Sequence, residues 1–156
     1  MPRFSVVIPT RNRPNHFKAC LETVAAQTFR DYEVIVQDNS DSPYSMSGDL
    51  ETVRDDGSCS HCPTSRVFNR KVVAMAENWE LAVARATGEY VLVVGDDDGL
   101  YPTCLEAADR LILANDLDAL RWGQTTFFWP DHFDARRAGT LEVPRLRGYE
   151  GGGRQG

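Results

Sequence analysis

The apolar positions of this chain switch between two periods. Phe4 to Ile8, in "FSVVIPT", form a short β-branched run closed by Pro9, the pattern of a buried strand. The period then changes. Phe17, Cys20, Leu21 and Val24 recur at i, i+3, i+4 and i+7, which draws one apolar face along a helix from Asn15 to Thr28, with Pro14 suited to its first turn. "YEVIVQD" predicts a second strand from Tyr32 to Gln37, ending at Asp38. Asn39 to Ser65 is rich in Ser, Asp, Gly and Pro with little periodicity, so a long loop is expected, holding one short helix near Leu50 to Arg54. "RVFNRK" predicts a weak third strand. Trp79, Ala82, Val83 and Ala86 then mark an amphipathic helix that stops at Gly88 in a left-handed cap. "EYVLVV" is the strongest strand pattern. A further helix begins near Pro102 with Leu105, Ala108 and Ile112 inward, and "DALRWGQTTFFW" supplies one or two more strands.

The order is thus β-α-β-loop-β-α-β-α-β, which implies an α/β fold with a mostly parallel sheet flanked by helices on both faces. Residues 1–134 read as one domain. From Ala135 the pattern dissolves into Arg and Gly, ending in "GYEGGGRQG", and residues 135–156 are expected to be a disordered tail.

Composition narrows the classes. With 156 residues, 42% hydrophobic and 26% charged, the chain has room for one ordinary globular domain. No apolar run approaches the ~20 residues of a membrane helix, and the run in "MPRFSVVIPT" is too short for a signal peptide, so no transmembrane segment and a cytoplasmic location are expected. A net charge of -6 with scattered Arg lacks the basic stripe of a nucleic-acid binder. Of four cysteines, Cys59 and Cys62 in "CSHC" have the spacing of half a zinc knuckle, with His61 between them. The second half is missing. Ordinary reduced thiols are expected, with a zinc or redox role for Cys59, His61 and Cys62 as the alternative.

"VLVVGDDDGLYP" raises the chemical question. Adjacent like charges at ~4 Å repel by about 4 kcal/mol at an effective dielectric near 20, so folding alone does not favour three neighbouring carboxylates. In an open α/β sheet, ligands bind beyond the carboxyl ends of the strands. Three segments meet there: "PTRNRP" after the first strand, Asp38 after the second and "GDDDG" after the fourth. Asp38 is placed either to accept hydrogen bonds from a ribose or base or to form a turn in "QDNSD". No dinucleotide fingerprint or P-loop is present, so another device must hold phosphates. Carboxylates binding Mg²⁺ or Mn²⁺ would do so, sharing the cation with diphosphate oxygens. If extended backbone runs through the triplet, Asp96 and Asp98 point one way and Asp97 the other.

"FSVVIPTRNRPNHFKACLETVAAQTFRDYEVIVQDNSD", followed by "MAENWELAVARATGEYVLVVGDDDGLYP", resembles the amino-terminal half of a family 2 glycosyltransferase, from about Phe4 to Trp122. That resemblance implies a Rossmann-like GT-A nucleotide-binding domain, truncated before the acceptor half. It implies an inverting transfer from a nucleotide-sugar donor to an acceptor hydroxyl, on a saccharide, lipid-linked or protein acceptor, the lipid-linked case placing the chain at the inner face of a membrane. By similarity Pro9, Thr10 and Arg11, with Arg13 of the same loop, line the nucleotide, Asp38 contacts base or ribose, and Asp96 lies near the ribose. Asp97 or Asp98 takes the metal. Asn78 falls where related sequences put a polar residue near the donor, and Asn also suits a helix start. Late candidates for the catalytic base are Asp131, His132 and Asp134, which an exposed polar turn explains equally well. Two rival readings remain. One is a nucleotide-sugar-binding module that transfers nothing. In the other, "DDDGL" resembles the D-x-D-G-T motif of haloacid-dehalogenase-type phosphatases, with Asp96 as nucleophile and Asp98 as acid, although Leu100 replaces the threonine and that motif belongs on a first strand.

Overall fold

The computed structural model describes residues 1–42, 62–123, 126–127 and 141–142, the last two pairs as backbone. Strand β1 (Phe4–Thr10) is followed by helix α1 (Pro14–Ala25), β2 (Tyr32–Asp38), β3 (Thr64–Phe68), α2 (Met75–Val83), β4 (Tyr90–Val93) and α3 (Cys104–Asn115). The first four strands form one sheet in the order β3-β2-β1-β4, with every pairing parallel. β1 is its middle. All seven β1 residues are buried, as expected of a strand covered on both faces. Val7 and Ile35 pack against Ala82 of α2 on one face. On the opposite face the Tyr32 hydroxyl donates to the Val24 carbonyl of α1 at 2.8 Å, and Arg66 stacks over the Phe17 ring at 5.7 Å.

These contacts belong to a unit spanning Met1–Asp116; a second unit, Leu117–Gly156, contains β5 (Thr126–Phe127) and β6 (Leu141–Glu142), paired antiparallel. β6 falls within the stretch read as a tail, and the rest of 135–156 lies outside the described residues. So do the helix expected near Leu50 to Arg54, Cys59 and His61. Cys62 is buried, with Sγ 3.8 Å from Thr64 Oγ1. Among the described residues, no helix is long and apolar enough to cross a membrane.

Four local expectations change for physical reasons. α1 stops at Ala25 rather than Thr28, because the Thr28 N–H leaves the helix to donate to the Pro102 carbonyl at 2.8 Å. β3 begins two residues before "RVFNRK", where Val34 N–H donates to Pro63 O at 2.8 Å and draws the incoming chain into register. In α2 the inward positions are Asn78 and Ala82, while Trp79 and Val83 are exposed. A buried polar residue had disguised the true inward stripe. Gly88 is no left-handed cap, since α2 ends in right-handed geometry at Ala84. Glycine is required at 88 by close approach: a Cβ there would lie 2.7 Å from Ser5 N and 2.8 Å from Phe4 C.

Candidate functional site

From β1 the chain moves outward through β2 to β3, then returns to the other side of β1 as β4. The strand order therefore reverses between β1 and β4, where α/β sheets open a crevice at their carboxyl ends. Thr10 closes β1 at that point, and the backbone beyond β4 turns tightly, with Asp98 N–H donating to Gly95 O at 3.0 Å. This turn replaces the extended backbone expected through the triplet. Its effect is to separate Asp96 from its neighbours. Asp96 points back into the protein, 7% exposed, where Thr10 Oγ1 donates to its Oδ2 at 2.8 Å and Arg13 Nη1 to its Oδ1 at 3.3 Å. Asp97 and Asp98 remain exposed. A Cβ on Gly95 would lie 2.8 Å from Asp98 Oδ2 and 3.1 Å from Asp97 Oδ1, so a side chain at 95 would occupy the ground these oxygens hold.

Helix α1 keeps the acidic loop in place. Thr23 Oγ1 accepts from Leu100 N–H at 3.0 Å, and Gln27, fully buried, donates to Tyr101 O at 2.7 Å and accepts from Leu105 N–H at 3.1 Å. Cys20 lies under the turn with Sγ 3.4 Å from Gly95 O, and burial, aided by the charges of Asp96, Asp98 and Asp97, pushes its thiol up to about 12. Such a thiol is not a nucleophile.

The other expected residues occupy neighbouring places. Asn12 sits at φ 56, a left-handed conformation that Asn tolerates, and ties the first loop to the one after β2. Its N–H donates to Ser40 Oγ at 2.8 Å and its amide to Asp41 Oδ2 at 2.7 Å. Arg11 pairs with the other oxygen of Asp41 at 3.1 Å, and these bonds from Asn12 and Arg11 hold the Asp41 carboxyl below the usual range. Pro9 lies within β1 opposite Gln37. Asp38 is wholly buried, with Oδ2 accepting from Arg66 Nη2 at 2.6 Å and Oδ1 from Ser40 N–H at 3.0 Å. Asn78 is not a helix start, since Ala74 caps α2. Its amide donates to Gln37 O at 3.3 Å and accepts from Asn69 at 2.9 Å, within a set of amides that also includes Asn39. The structure thus gathers Thr10, Arg13, Asp96, Asp97 and Asp98, leaving Asp38 and Asn78 in separate buried clusters. Asp131, His132 and Asp134 lie outside the described residues.

Sequence reasoning did not find Arg66, Gln27, Asn39 or Asn69. "QDN" at the end of an apolar strand was a usable signal for the amides, because polar residues buried at a strand's carboxyl end must find partners. Arg66 had none.

The model of Glycosyl transferase family 2 matches residues 5–149. The chain belongs to that family. The match runs past Trp122, where the resemblance in the sequence fades. A relative, the uncharacterized glycosyltransferase YibD of Escherichia coli, is 28% identical over 116 residues, covering 74% of this chain and 32% of that protein. A PGL/p-HBAD biosynthesis glycosyltransferase of Mycobacterium tuberculosis is 29% identical over 143 residues, covering 87% and 54%. The chain therefore spans about a third to a half of these relatives' length. Among solved structures, Staphylococcus aureus TarS 1-349 has a similar fold, with a TM-score of 0.59 at 22% identity over 80% of this chain and 39% of that one. Its complex with UDP-GlcNAc gives the same score, covering 80% and 38%. These likenesses agree with a GT-A, Rossmann-like sheet. A phosphatase motif would need the first strand, whereas "DDDGL" follows β4.

Proposed function

We propose that this chain is the nucleotide-sugar-binding part of an inverting, metal-assisted glycosyltransferase. The observation carrying the reading is the pair of exposed carboxylates, Asp97 and Asp98, whose Oδ1 and Oδ2 lie 3.1 and 2.8 Å from where a Gly95 Cβ would sit, at the reversal of strand order. Among the described residues, no group of three or more His, Cys, Asp or Glu is arranged to hold a metal. An exposed pair suits Mg²⁺ or Mn²⁺ in a donor site nonetheless, because such ions are bound by one or two carboxylates plus substrate phosphates. Asp97 and Asp98 would hold the cation, which when bound offsets charge developing on the departing diphosphate.

The chain's own groups divide the remaining work. Pro9, Thr10 and Arg11 form the wall beside the nucleotide, and the tie between Asn12, Ser40 and Asp41 gives that wall a set shape before ligand arrives. Asp96, held by Thr10 and Arg13, has lone pairs left for a ribose hydroxyl at the pocket's edge. Asp38 and Arg66 together shape the floor under the base. UDP is the natural first ligand to test, being bound in a TarS structure of the same fold. Calorimetric titration of UDP in Mn²⁺ and again in EDTA tests the reading. Binding that strengthens with Mn²⁺ is expected; no binding of UDP, GDP or dTDP with Mn²⁺ would end it.

A further inference from the structure

Arg13 joins the first loop to the acidic turn, and it does so unequally. Its Nη1 lies 2.8 Å from Asp97 Oδ2 and 3.3 Å from Asp96 Oδ1. The two oxygens of Asp97 are therefore divided: Oδ2 accepts from Arg13, and Oδ1 lies 3.1 Å from where a Gly95 Cβ would sit, a point 2.8 Å from Asp98 Oδ2. The pair is half exposed, Arg13 at 52% and Asp97 at 55%, so the bond biases the direction in which Asp97 presents its other oxygen without fixing it. The grip is itself supported. Arg13 stands between left-handed Asn12, tied to Ser40, and Pro14, which opens α1, while Asp96 is held by Thr10 on its far oxygen.

We propose that Arg13 is a positioning residue that aims Asp97 at Asp98, setting the pair that takes the divalent ion, and that it does not contact the nucleotide. This rests on the donor-site reading above. Two other roles make opposite demands. An arginine on the diphosphate would strengthen UDP binding whether or not metal is present. An arginine competing with the cation would hold metal off, so that losing it tightens metal binding. The divided use of Asp97 favours neither, because the hydrogen bond from Arg13 goes to Oδ2 and not to Oδ1. Outer partners of this kind commonly change metal affinity by ~10–100-fold.

The test uses the full chain with Mn²⁺ and UDP as probes, reading free Mn²⁺ by its paramagnetic resonance signal and UDP affinity in EDTA by calorimetry. Arg13→Ala is expected to weaken Mn²⁺ binding in the presence of UDP by ~10-fold or more, with a clearly smaller loss of UDP affinity in EDTA, because Asp96 keeps its bond from Thr10. Arg13→Lys, which keeps the charge but loses the planar fork, should fall between and serves as the reading if the alanine variant does not fold. Tighter Mn²⁺ binding, unchanged Mn²⁺ binding, or an equal loss of UDP affinity in EDTA overturns the assignment of Arg13 alone. Failure of the unmodified chain to bind UDP with Mn²⁺ overturns the donor-site reading and this inference with it.

Discussion

Asp38→Asn separates what the second strand's terminal carboxylate does for ligand from what it does for the fold. Asp38 is 0% exposed and accepts from Arg66 at 2.6 Å, with the Arg66 side chain 17% exposed. Asparagine keeps the shape and the bond from Ser40 N–H, but it removes the negative charge that Asp38 sets 2.6 Å from the largely buried guanidinium of Arg66. Breaking a buried pair from one side costs ~3–5 kcal/mol, and the lower end applies here because Arg66 retains some solvent and the Phe17 ring. About 3 kcal/mol corresponds to a urea midpoint lowered by ~1.5 M for a slope near 2 kcal/mol/M. Replacing both residues, as Asp38→Asn with Arg66→Met, should recover most of that loss, since no unpaired charge then remains buried. Urea unfolding followed by circular dichroism measures all four members of the cycle. A single-variant loss under ~1 kcal/mol, or a double variant no better than the single, would refute the pairing argument. UDP affinity of the folded Asp38→Asn chain should fall equally in Mn²⁺ and in EDTA, because the proposed floor supports the base and not the metal.

Further outcomes follow from the same geometry. Asp97→Asn should weaken UDP binding ~10-fold or more in Mn²⁺ and leave it unchanged in EDTA; equal losses would remove the carboxylate from the metal. Gly88→Ala should destabilise by about 3 kcal/mol in urea unfolding, since the new methyl meets backbone atoms of Ser5 and Phe4 that cannot swing aside, and a loss within ~0.5 kcal/mol would contradict the close approach. Cys20, with its thiol raised to about 12, should resist iodoacetamide at pH 8 in the folded chain and react on unfolding, because only about one part in ten thousand is thiolate. Half-buried Cys104 should react before Cys20; peptide mapping that finds Cys20 modified in the native protein would overturn this. On acidification, burial raises the Glu33 carboxyl but bonds from Ser5 and Thr87 outweigh it and hold it below its usual range. Its contribution to stability is therefore present above the unfolded value and lost as pH falls through the folded one, and Glu33→Gln should flatten the acid limb of a stability profile. An unchanged limb would count against those bonds.

Local pattern determined a great deal of this molecule. The runs Phe4 to Ile8 and Tyr32 to Gln37 read as strands, the period of Phe17 to Val24 made α1, and alternation of the two implied a parallel sheet whose β-to-α loops gather at one end. Three carboxylates after an apolar strand marked the site, because repulsion between them needs a reason. Only the tertiary structure decided which loops meet. The order β3-β2-β1-β4 joins Thr10 to Asp96 across 86 positions and Asp38 to Arg66 across 28, and no periodicity encodes such partners. It also turned Gly88 from a cap into a spacer against β1, and Asn78 from a helix start into part of an inward amide cluster. Hydrophobic period reports which side of an element is buried. What a buried polar group bonds to depends on strand order and register, which arise only when the elements pack.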